Sequence, residues 1–225
     1  MAVHISIVVP VLNEAEALPS LLAHLKTLEE EGAEVVLVDG GSEDATAELA
    51  QQAGFRVVDA PKGRALQMNA GATQCAGEIL LFLHADTRLP PAALALVRER
   101  LHAPQVWGRF NVHIAGRSRL LPVIAWAMNL RSRLSGIATG DQAMFVARSA
   151  FLEVGGFPEL ALMEDIALSA KLKVFSPPLC LRAQVTTSGR RWDERGAWRT
   201  VLLMWRLRWA YWRGVPGAEL ARAYR

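Results

Sequence analysis

Cysteine is scarce in this sequence: Cys75 and Cys180 are the only two in 225 residues. A disulfide framework needs more cysteines in a shorter secreted chain. Neither cysteine lies in a CxxC or Cys/His cluster, which argues against structural zinc. Long apolar runs are missing as well. The longest candidate, Leu120 to Met128, contains Pro122 and falls well short of the roughly 20 residues of a membrane span. The start, Met1-Ala2-Val3-His4-Ile5, has no basic n-region or cleavage site and reads as a first strand. The expected location is the cytoplasm. No glycine follows that strand, so the G-x-G-x-x-G turn of dinucleotide-binding folds is absent. Nor is there a Ser/Gly/Pro-rich linker, an internal repeat or a low-complexity segment, and one domain over 1–225 is expected.

What is present is a core-forming composition, 52% hydrophobic against 21% charged, which excludes wholesale disorder. The net charge of +3 suits an anionic small substrate, a membrane surface or nucleic acid equally. Apolar β-branched runs at Ile5–Pro10, Val35–Val38, Phe55–Val58 and Ile79–Leu83 alternate with helical stretches at Ala17–Glu31, from Ser42 to Gly54, at Arg64–Gln74 and from Pro90 to about Leu101. Such alternation predicts a Rossmann-like, mostly parallel central sheet flanked by helices. The second half is less regular. Arg109–Ile114 alternates like an exposed strand, and Gln142–Val146 reads as another short strand. Helices are expected from Ser149, over Glu164–Lys173 and over Ala197–Trp212.

Most chemistry-bearing residues fall just after a strand, where open α/β sheets bind ligands. Pro10-Val11-Leu12-Asn13-Glu14 follows the first strand, and by itself reads as a turn with Asn13 as a helix cap. Asp39 ends the second. It can hold a base edge or a ribose, or open an Asp-Gly turn; beside the preceding turn the nucleotide reading leads. Lys62-Gly63-Arg64 precede a helix N-terminus, which is electropositive and offers N–H groups to phosphate; a solvated basic turn would look the same. The fourth strand runs into His84-Ala85-Asp86-Thr87. Asp86 is placed to ligate a hard cation, and His84 reads equally as a site residue or a core histidine. Glu164 and Asp165 are neighbours on a helix and point different ways, so they cannot share one task. Asp165 is the candidate base; Glu164 also suits a helix N-terminal charge. In Ser188-Gly189-Arg190-Arg191-Trp192 the arginines could bind a diphosphate and Trp192 could stack on a ring, or the segment is a basic surface turn. Arg199, Arg206 and Arg213 recur every seven residues among Val201, Leu202, Met204, Trp205, Trp209 and Trp212. That helix could dock on an anionic membrane or pack with one wet face; packing leads, because amphipathic helices usually face the core.

Taken in order, Ile7-Val8-Val9-Pro10-Val11-Leu12-Asn13-Glu14, Asp39-Gly40-Gly41-Ser42-Glu43-Asp44, His84-Ala85-Asp86, Glu164-Asp165 and Arg191-Trp192 resemble the family 2 glycosyltransferases of the GT-A fold. The strings HADT, GDQAMF, MEDI and SGRRW resemble a bacterial subfamily often labelled arsenosugar-biosynthesis-type glycosyltransferase. The resemblance implies a single GT-A domain, with a nucleotide-sugar-binding half (1–103) and an acceptor-binding half (104–225). It implies that Pro10, Glu14 and Asp39 hold the nucleotide base and ribose, and that Lys62 and Arg64 lie near the phosphates. Asp86 matches the last acid of a D-x-D motif that binds Mg²⁺ or Mn²⁺ on the donor diphosphate. Asp165 matches the catalytic base, and Arg191 and Trp192 match the end of a Q-x-x-R-W motif. Asp141, Gln142 and Glu164 are the acceptor-side candidates. Two positions depart from the pattern. His84 stands at the first acid of D-x-D, and Ser188 at the Gln of Q-x-x-R-W, a motif that marks processive synthases; a single transfer is therefore expected.

The implied reaction is inverting transfer of one sugar from a UDP- or GDP-sugar to an acceptor hydroxyl. A charged leaving group needs electrostatic stabilisation, the hydroxyl needs a base within reach, and both substrates need holding in line. Nucleic acid is not expected as a partner. Peripheral contact with the inner membrane face and a homodimer both stay open. A sugar nucleotidyltransferase would carry a Gly-rich loop after strand one, and a non-catalytic nucleotide-binding protein would not need both Asp86 and Asp165. A membrane-associated transferase acting on a polyprenyl phosphate draws support from Leu120–Leu134 and the Arg/Trp helix.

Overall fold

The apolar runs of the first hundred residues lie side by side in one half of an eight-stranded sheet, in a computed structural model that describes residues 3–224. In chain order the elements are β1 (Ile5–Val11), α1 (Leu18–Glu30), β2 (Glu34–Asp39), α2 (Thr46–Gln52), β3 (Arg56–Asp59), α3 (Arg64–Gln74), β4 (Ile79–Phe82), β5 (Thr87–Arg88), α4 (Ala93–Arg100), β6 (Trp107–Ala115), α5 (Leu121–Ser135), a 3-10 turn (Gly140–Gln142), β7 (Phe145–Ala147), α6 (Arg148–Glu153), α7 (Glu164–Leu172), β8 (Leu179–Ser188), α8 (Arg190–Arg195), α9 (Ala197–Trp212) and α10 (Gly217–Tyr224). The strand order is β3-β2-β1-β4-β7-β6-β8-β5. β1 pairs in parallel with β2 and β4, β2 with β3, and β6 with β8; β7 runs antiparallel between β4 and β6, and β5 closes the far edge antiparallel to β8.

Every residue of β1 is buried because helices cover both faces. Ile5, Ile7, Val9 and Val11 pack with Leu18, Leu21, Leu25 and Leu28 of α1 and with Leu94 and Val97 of α4. Val8, Val36 and Val38 pack on the opposite side with Ala65, Met68 and Ala72 of α3. Alternation within a strand that looks uniformly apolar thus splits it between two cores. Gly71 lets α3 sit down on the sheet, since a Cβ there would come 2.7 Å from Val38 Cγ2. Pro10 costs no ladder bond: the β1–β4 pairing ends at Val8 and Phe82, and Leu83 N–H donates to the Val8 carbonyl at 3.0 Å, so no β4 residue stands opposite the proline nitrogen.

Several sequence expectations change. The strand expected over Gln142–Val146 starts later, as β7 at Phe145–Ala147, because Gln142 belongs to the 3-10 turn. β3 starts one residue late, at Arg56, because Phe55 turns into the core. β6 is not an exposed strand: it lies between β7 and β8, with Trp107, Arg109 and Phe110 fully buried. The polar alternation misleads at Arg109, whose guanidinium is roofed by α5 and donates to the Asn129 carbonyl at 3.1 Å. Finally, α9 does not bury its aromatic face. Ala197, Thr200 and Leu207 form its buried seam, while Trp198, Trp205, Trp209 and Trp212 stand exposed, Trp212 by 86%.

Candidate active site

The site forms at the carboxyl ends of the parallel strands. The turns after β1 and β2 interlock. Asn13, held at φ +52, donates its backbone N–H to Ser42 Oγ (2.9 Å) and accepts the Glu43 N–H on Oδ1 (2.8 Å). Glu14 N–H donates to Thr46 Oγ1 (2.8 Å), and Ala15 N–H to Asp44 Oδ2 (3.1 Å). Asp39 Oδ2 accepts the N–H groups of Gly41 and Ser42 at 2.9 and 2.8 Å, and Oδ1 accepts the Ser42 hydroxyl. With 4% exposure and three acceptor positions taken, Asp39 mainly holds its own turn. Beneath these loops, buried Gln67 donates Nε2 to the carbonyls of Val11 and Val38, both at 2.8 Å. Gly40 backs onto it, since a Cβ there would lie 2.9 Å from Gln67 Cδ. Sequence reasoning passed over Gln67; its signal is a polar residue on the apolar face of α3.

Beyond β4, His84 and Asp86 diverge. Asp86 is exposed, with the hydroxyls of Thr87 and Thr187 at 3.3 and 3.5 Å from Oδ1. His84 is 12% exposed and turns Nδ1 to Asp141 Oδ1 at 3.4 Å. A Cβ on Gly140 would overlap the His84 ring, so this glycine permits the contact. Burial alone would push His84 down and Asp141 up; their mutual hydrogen bond reverses both, leaving His84 raised and Asp141 lowered. The histidine therefore brings a carboxylate from another segment into the neighbourhood that the missing acid of D-x-D would occupy.

Arg64, at the start of α3, is the hub. Its Nε lies 3.4 Å from Glu164 Oε1, across the start of α7. Burial opposes its charge, but Glu164, Asp165, Asp141 and Asp86 together outweigh it and hold the guanidinium above its ordinary value. Glu164 touches Arg64, whereas Asp165, Asp141 and Asp86 act on it through charge. Burial and then the Asp165 charge push Glu164 up. Asp165 accepts the Gly140 N–H on Oδ2 at 2.8 Å and its own helix's Ile166 N–H on Oδ1 at 2.7 Å, which fixes the carboxylate beside the 3-10 turn. From the far edge, Ser188 N–H donates to the Asp86 carbonyl at 3.2 Å. This anchors α8, where Arg191 stacks on Tyr224, 4.0 Å from the ring centre. Burial, then Arg195 and Arg64, pull Arg191 down against the opposing charges of Asp141 and Asp86, while Arg190 opposes the upward push of burial on Glu14.

Some candidate residues are not where the sequence reading put them. Gln142 is fully buried, taking the Thr139 N–H on Oε1 and donating to Asn129 Oδ1 at 3.3 Å; it braces the 3-10 turn and does not face an acceptor. Glu164 is 3% exposed and spent on Arg64. Trp192 is half-buried and packs against the larger core cluster. Pro10 is buried within β1. Lys62 is exposed on the loop before α3, and Asp141 is 45% exposed beside His84. Among the described residues no group of three His, Cys, Asp or Glu side chains could hold a metal unaided. One exposed carboxylate, Asp86, fits the way Mg²⁺ is bound when substrate phosphates supply further ligands.

The family profile described as "Glycosyl transferase family 2" matches residues 6–154, well over half of the chain. The chain belongs to glycosyl transferase family 2. Within this family 2 chain a stretch of 100 residues is 41% identical to undecaprenyl-phosphate 4-deoxy-4-formamido-L-arabinose transferase of Pseudomonas fluorescens, covering 39% of this chain and 29% of that protein. The chain therefore spans under a third of that relative's length. Two solved GT-A structures show the same fold. Residues 1–349 of S. aureus TarS, in complex with UDP-GlcNAc, give a TM-score of 0.66 at 19% identity over 82% of this chain and 58% of that one. Mannosyltransferase PcManGT of Pyrobaculum calidifontis, with GDP-Man and Mn²⁺, gives 0.65 at 19% identity over 93% and 61%.

Proposed function

We propose that this family 2 member transfers a single sugar from a nucleoside-diphosphate sugar to an acceptor hydroxyl, with inversion. The observation that carries the reading is that the contacts His84–Asp141, Gly140–Asp165 and Arg64–Glu164 bring the turn after β4, the 3-10 turn, the start of α3 and the start of α7 together at the carboxyl edge of the parallel strands. The first 103 residues take the nucleotide and the remainder the acceptor. The interlocked turns after β1 and β2 present Glu14 and backbone groups to the base and ribose. Lys62, Arg64, Arg190 and Arg191 offset the charge that develops on the leaving diphosphate. Asp86 would hold a divalent cation, which would supply further positive charge against the leaving diphosphate. Asp165 removes the acceptor proton as the oxygen attacks the anomeric carbon from the face opposite the diphosphate. This single displacement inverts the centre and releases the nucleoside diphosphate. The strings HADT, GDQAMF, MEDI and SGRRW resemble the arsenosugar-biosynthesis-type subfamily, a label that names no acceptor, and support that finer reading. Ser188 in place of the Q-x-x-R-W glutamine favours one transfer over polymer synthesis. Calorimetric titration with UDP and GDP, each with and without Mn²⁺, tests the reading. Metal-dependent binding of one nucleotide, lost in Asp86→Ala, is expected; no binding of either would sink it.

We also propose peripheral attachment to an anionic membrane, at the inner face. No helix among the described residues is long and apolar enough to cross a bilayer. Yet α5 exposes Val123, Trp126, Leu130 and Leu134, and α9 exposes Trp198, Leu202, Trp205, Trp209 and Trp212. Neither helix contains an acidic residue, and both carry arginines. Tryptophan with arginine and no carboxylate suits the headgroup boundary of anionic lipid. Co-sedimentation with phosphatidylglycerol vesicles, weakened in the Trp205→Glu/Trp209→Glu double variant, is expected. A concentration-dependent dimer abolished by the same pair, without vesicle binding, would assign the face to a homodimer instead.

A further inference from the structure

His84 stands where D-x-D has its first acid, yet its ring is spent on the 3-10 turn. Nδ1 lies 3.4 Å from Asp141 Oδ1. A Cβ on Gly140 would overlap the ring, so the imidazole rests directly on the Gly140 backbone. The N–H of that same glycine donates to Asp165 Oδ2 at 2.8 Å. Gly140 thus touches the histidine on one side and the candidate base on the other. The segment is tied to α7 a second time, where Ser169 Oγ accepts the Ala138 N–H at 3.1 Å, and to α5, where Gln142 donates to Asn129 Oδ1 at 3.3 Å. Toward β4, the Phe82 N–H holds the Met144 carbonyl at 2.8 Å, and His84 holds the turn itself. Two residues that lack the freedom of glycine adopt a left-handed backbone here. Ala143, just past the turn, has φ +44, and Met163, just before Glu164 and Asp165, has φ +71. Such conformations persist where the surrounding contacts over-determine them.

We propose that His84 is a positioning residue for Asp165: it fixes the 3-10 turn from the β4 side, and the Gly140 N–H of that turn sets where the carboxylate points. The inference rests on Asp165 being the base of the reaction proposed above. An imidazole suits this place for two reasons. Its flat ring packs on a bare glycine, and its N–H donates to a carboxylate. An aspartate at position 84 would only accept, and would set like charges against Asp141. The departure from D-x-D therefore serves the acceptor side of the cleft rather than the donor diphosphate. A misplacement of about 1 Å can cost roughly 10²-fold in rate, so a brace one residue removed from the base has leverage on turnover.

The test reads the Gly140 N–H directly. Thr139-Gly140 is the sole Thr-Gly pair in the sequence, so ¹³C-carbonyl threonine with ¹⁵N-glycine labelling isolates its amide as one NMR resonance of the intact protein. Asp165→Asn marks where that resonance lies once the carboxylate is lost. His84→Ala is expected to move it toward that mark. The same variant should lower nucleoside diphosphate release from the nucleotide sugar, with water as acceptor, by roughly 10–100-fold. Mn²⁺-dependent UDP or GDP binding should stay within about twofold of the parent. His84→Asn keeps a side-chain N–H near the Nδ1 position and should restore the resonance and most of the turnover. His84→Asp brings back the D-x-D acid and should displace the resonance without raising turnover. A Gly140 resonance that stays still in His84→Ala overturns the positioning role. So does a loss of Mn²⁺-dependent nucleotide binding as deep as that of Asp86→Ala, which would assign His84 to the donor side. If His84→Ala fails to fold, seen as collapse of the other glycine resonances, the contrast between the Asn and Asp variants decides by the same readout. Full turnover in Asp165→Asn removes the base and this inference with it. A still resonance in His84→Ala beside an inactive Asp165→Asn removes the inference alone.

Discussion

The two halves of this molecule are built to different standards of completion. In residues 3–103 the turns after β1 and β2 are tied together: Asn13 and Asp44 spend polar atoms on each other's turn, Gln67 holds the ends of β1 and β2, and Asp39 holds its own turn. Among the described residues, all the buried side-chain polar atoms that lack a partner lie in residues 104–224, together with the largest exposed aromatics, on α5 and α9. A site for a common ligand can be rigid and preorganised, because the same groups are wanted each time. Unmet donors and bare aromatic faces mark where a second substrate, a surface or both must complete the structure.

Activity gives the sharpest way to break that comparison. Asp165→Asn should lower turnover by roughly 10²–10⁴-fold, the usual worth of a positioned base, while nucleotide affinity stays within about twofold of the parent, since Asp165 belongs to the acceptor half. If the variant keeps most of its turnover in a nucleotide-sugar consumption assay, the base lies elsewhere. Next in size is Asp86→Ala or chelation with EDTA. Either should weaken nucleoside diphosphate binding by about tenfold or more, the worth of one charge-assisted contact, and the parent should recover on adding Mn²⁺. Nucleotide binding that ignores both treatments would detach Asp86 from the donor.

The donor half's internal bracing predicts a stability effect. Gln67→Leu removes two hydrogen bonds that tie the ends of β1 and β2, although the Val11 carbonyl keeps the Gly40 N–H, so urea denaturation should show a loss of about 1–3 kcal/mol, with weaker nucleotide binding. A variant as stable as the parent would mean that the interlocked turns stand without it. The smallest effect concerns the two cysteines. Cys75 is buried beneath the donor half, and burial pushes its thiol up to about 11. A raised thiol pKa keeps it protonated and unreactive through pH 9. Cys180, half-buried on β8, should react with an aromatic disulfide reagent in the native protein. Labelling of Cys75 at pH 8 would show that the donor half opens more readily than its packing suggests.

Much of the fold was legible in the residues. Four apolar runs, each closed by a turn and separated by helical stretches, became β1 to β4, and the acids and arginines after them reached one sheet edge. The reading fell short where a residue's partner is distant in sequence. Arg109 looked like the polar side of an exposed strand because nothing local says that α5 will cover it. Gln142 and Glu164 looked available because the chain does not announce that Asn129 and Arg64 will claim them. Trp192 suggested stacking, and the core took it. His84 was undecided until Asp141 stood beside it.

By itself, the sequence determined which segments are strands, that the β1–β4 half is parallel and helix-covered, and that carboxylates and guanidiniums follow those strands. Hydrophobic period and turn chemistry act over a few residues and can be read without knowing the neighbours. Tertiary structure alone decided how each carboxylate is used: Asp86 stays exposed at the edge, Asp165 is fixed beside the 3-10 turn by two backbone N–H groups, and Asp39 and Glu164 are spent on their own turn and on Arg64. It also decided that the face of α9 carrying four tryptophans would stay bare. Both outcomes depend on what burial brings within about 4 Å, and charge interactions and desolvation at that range are set by three-dimensional neighbours rather than by chain position.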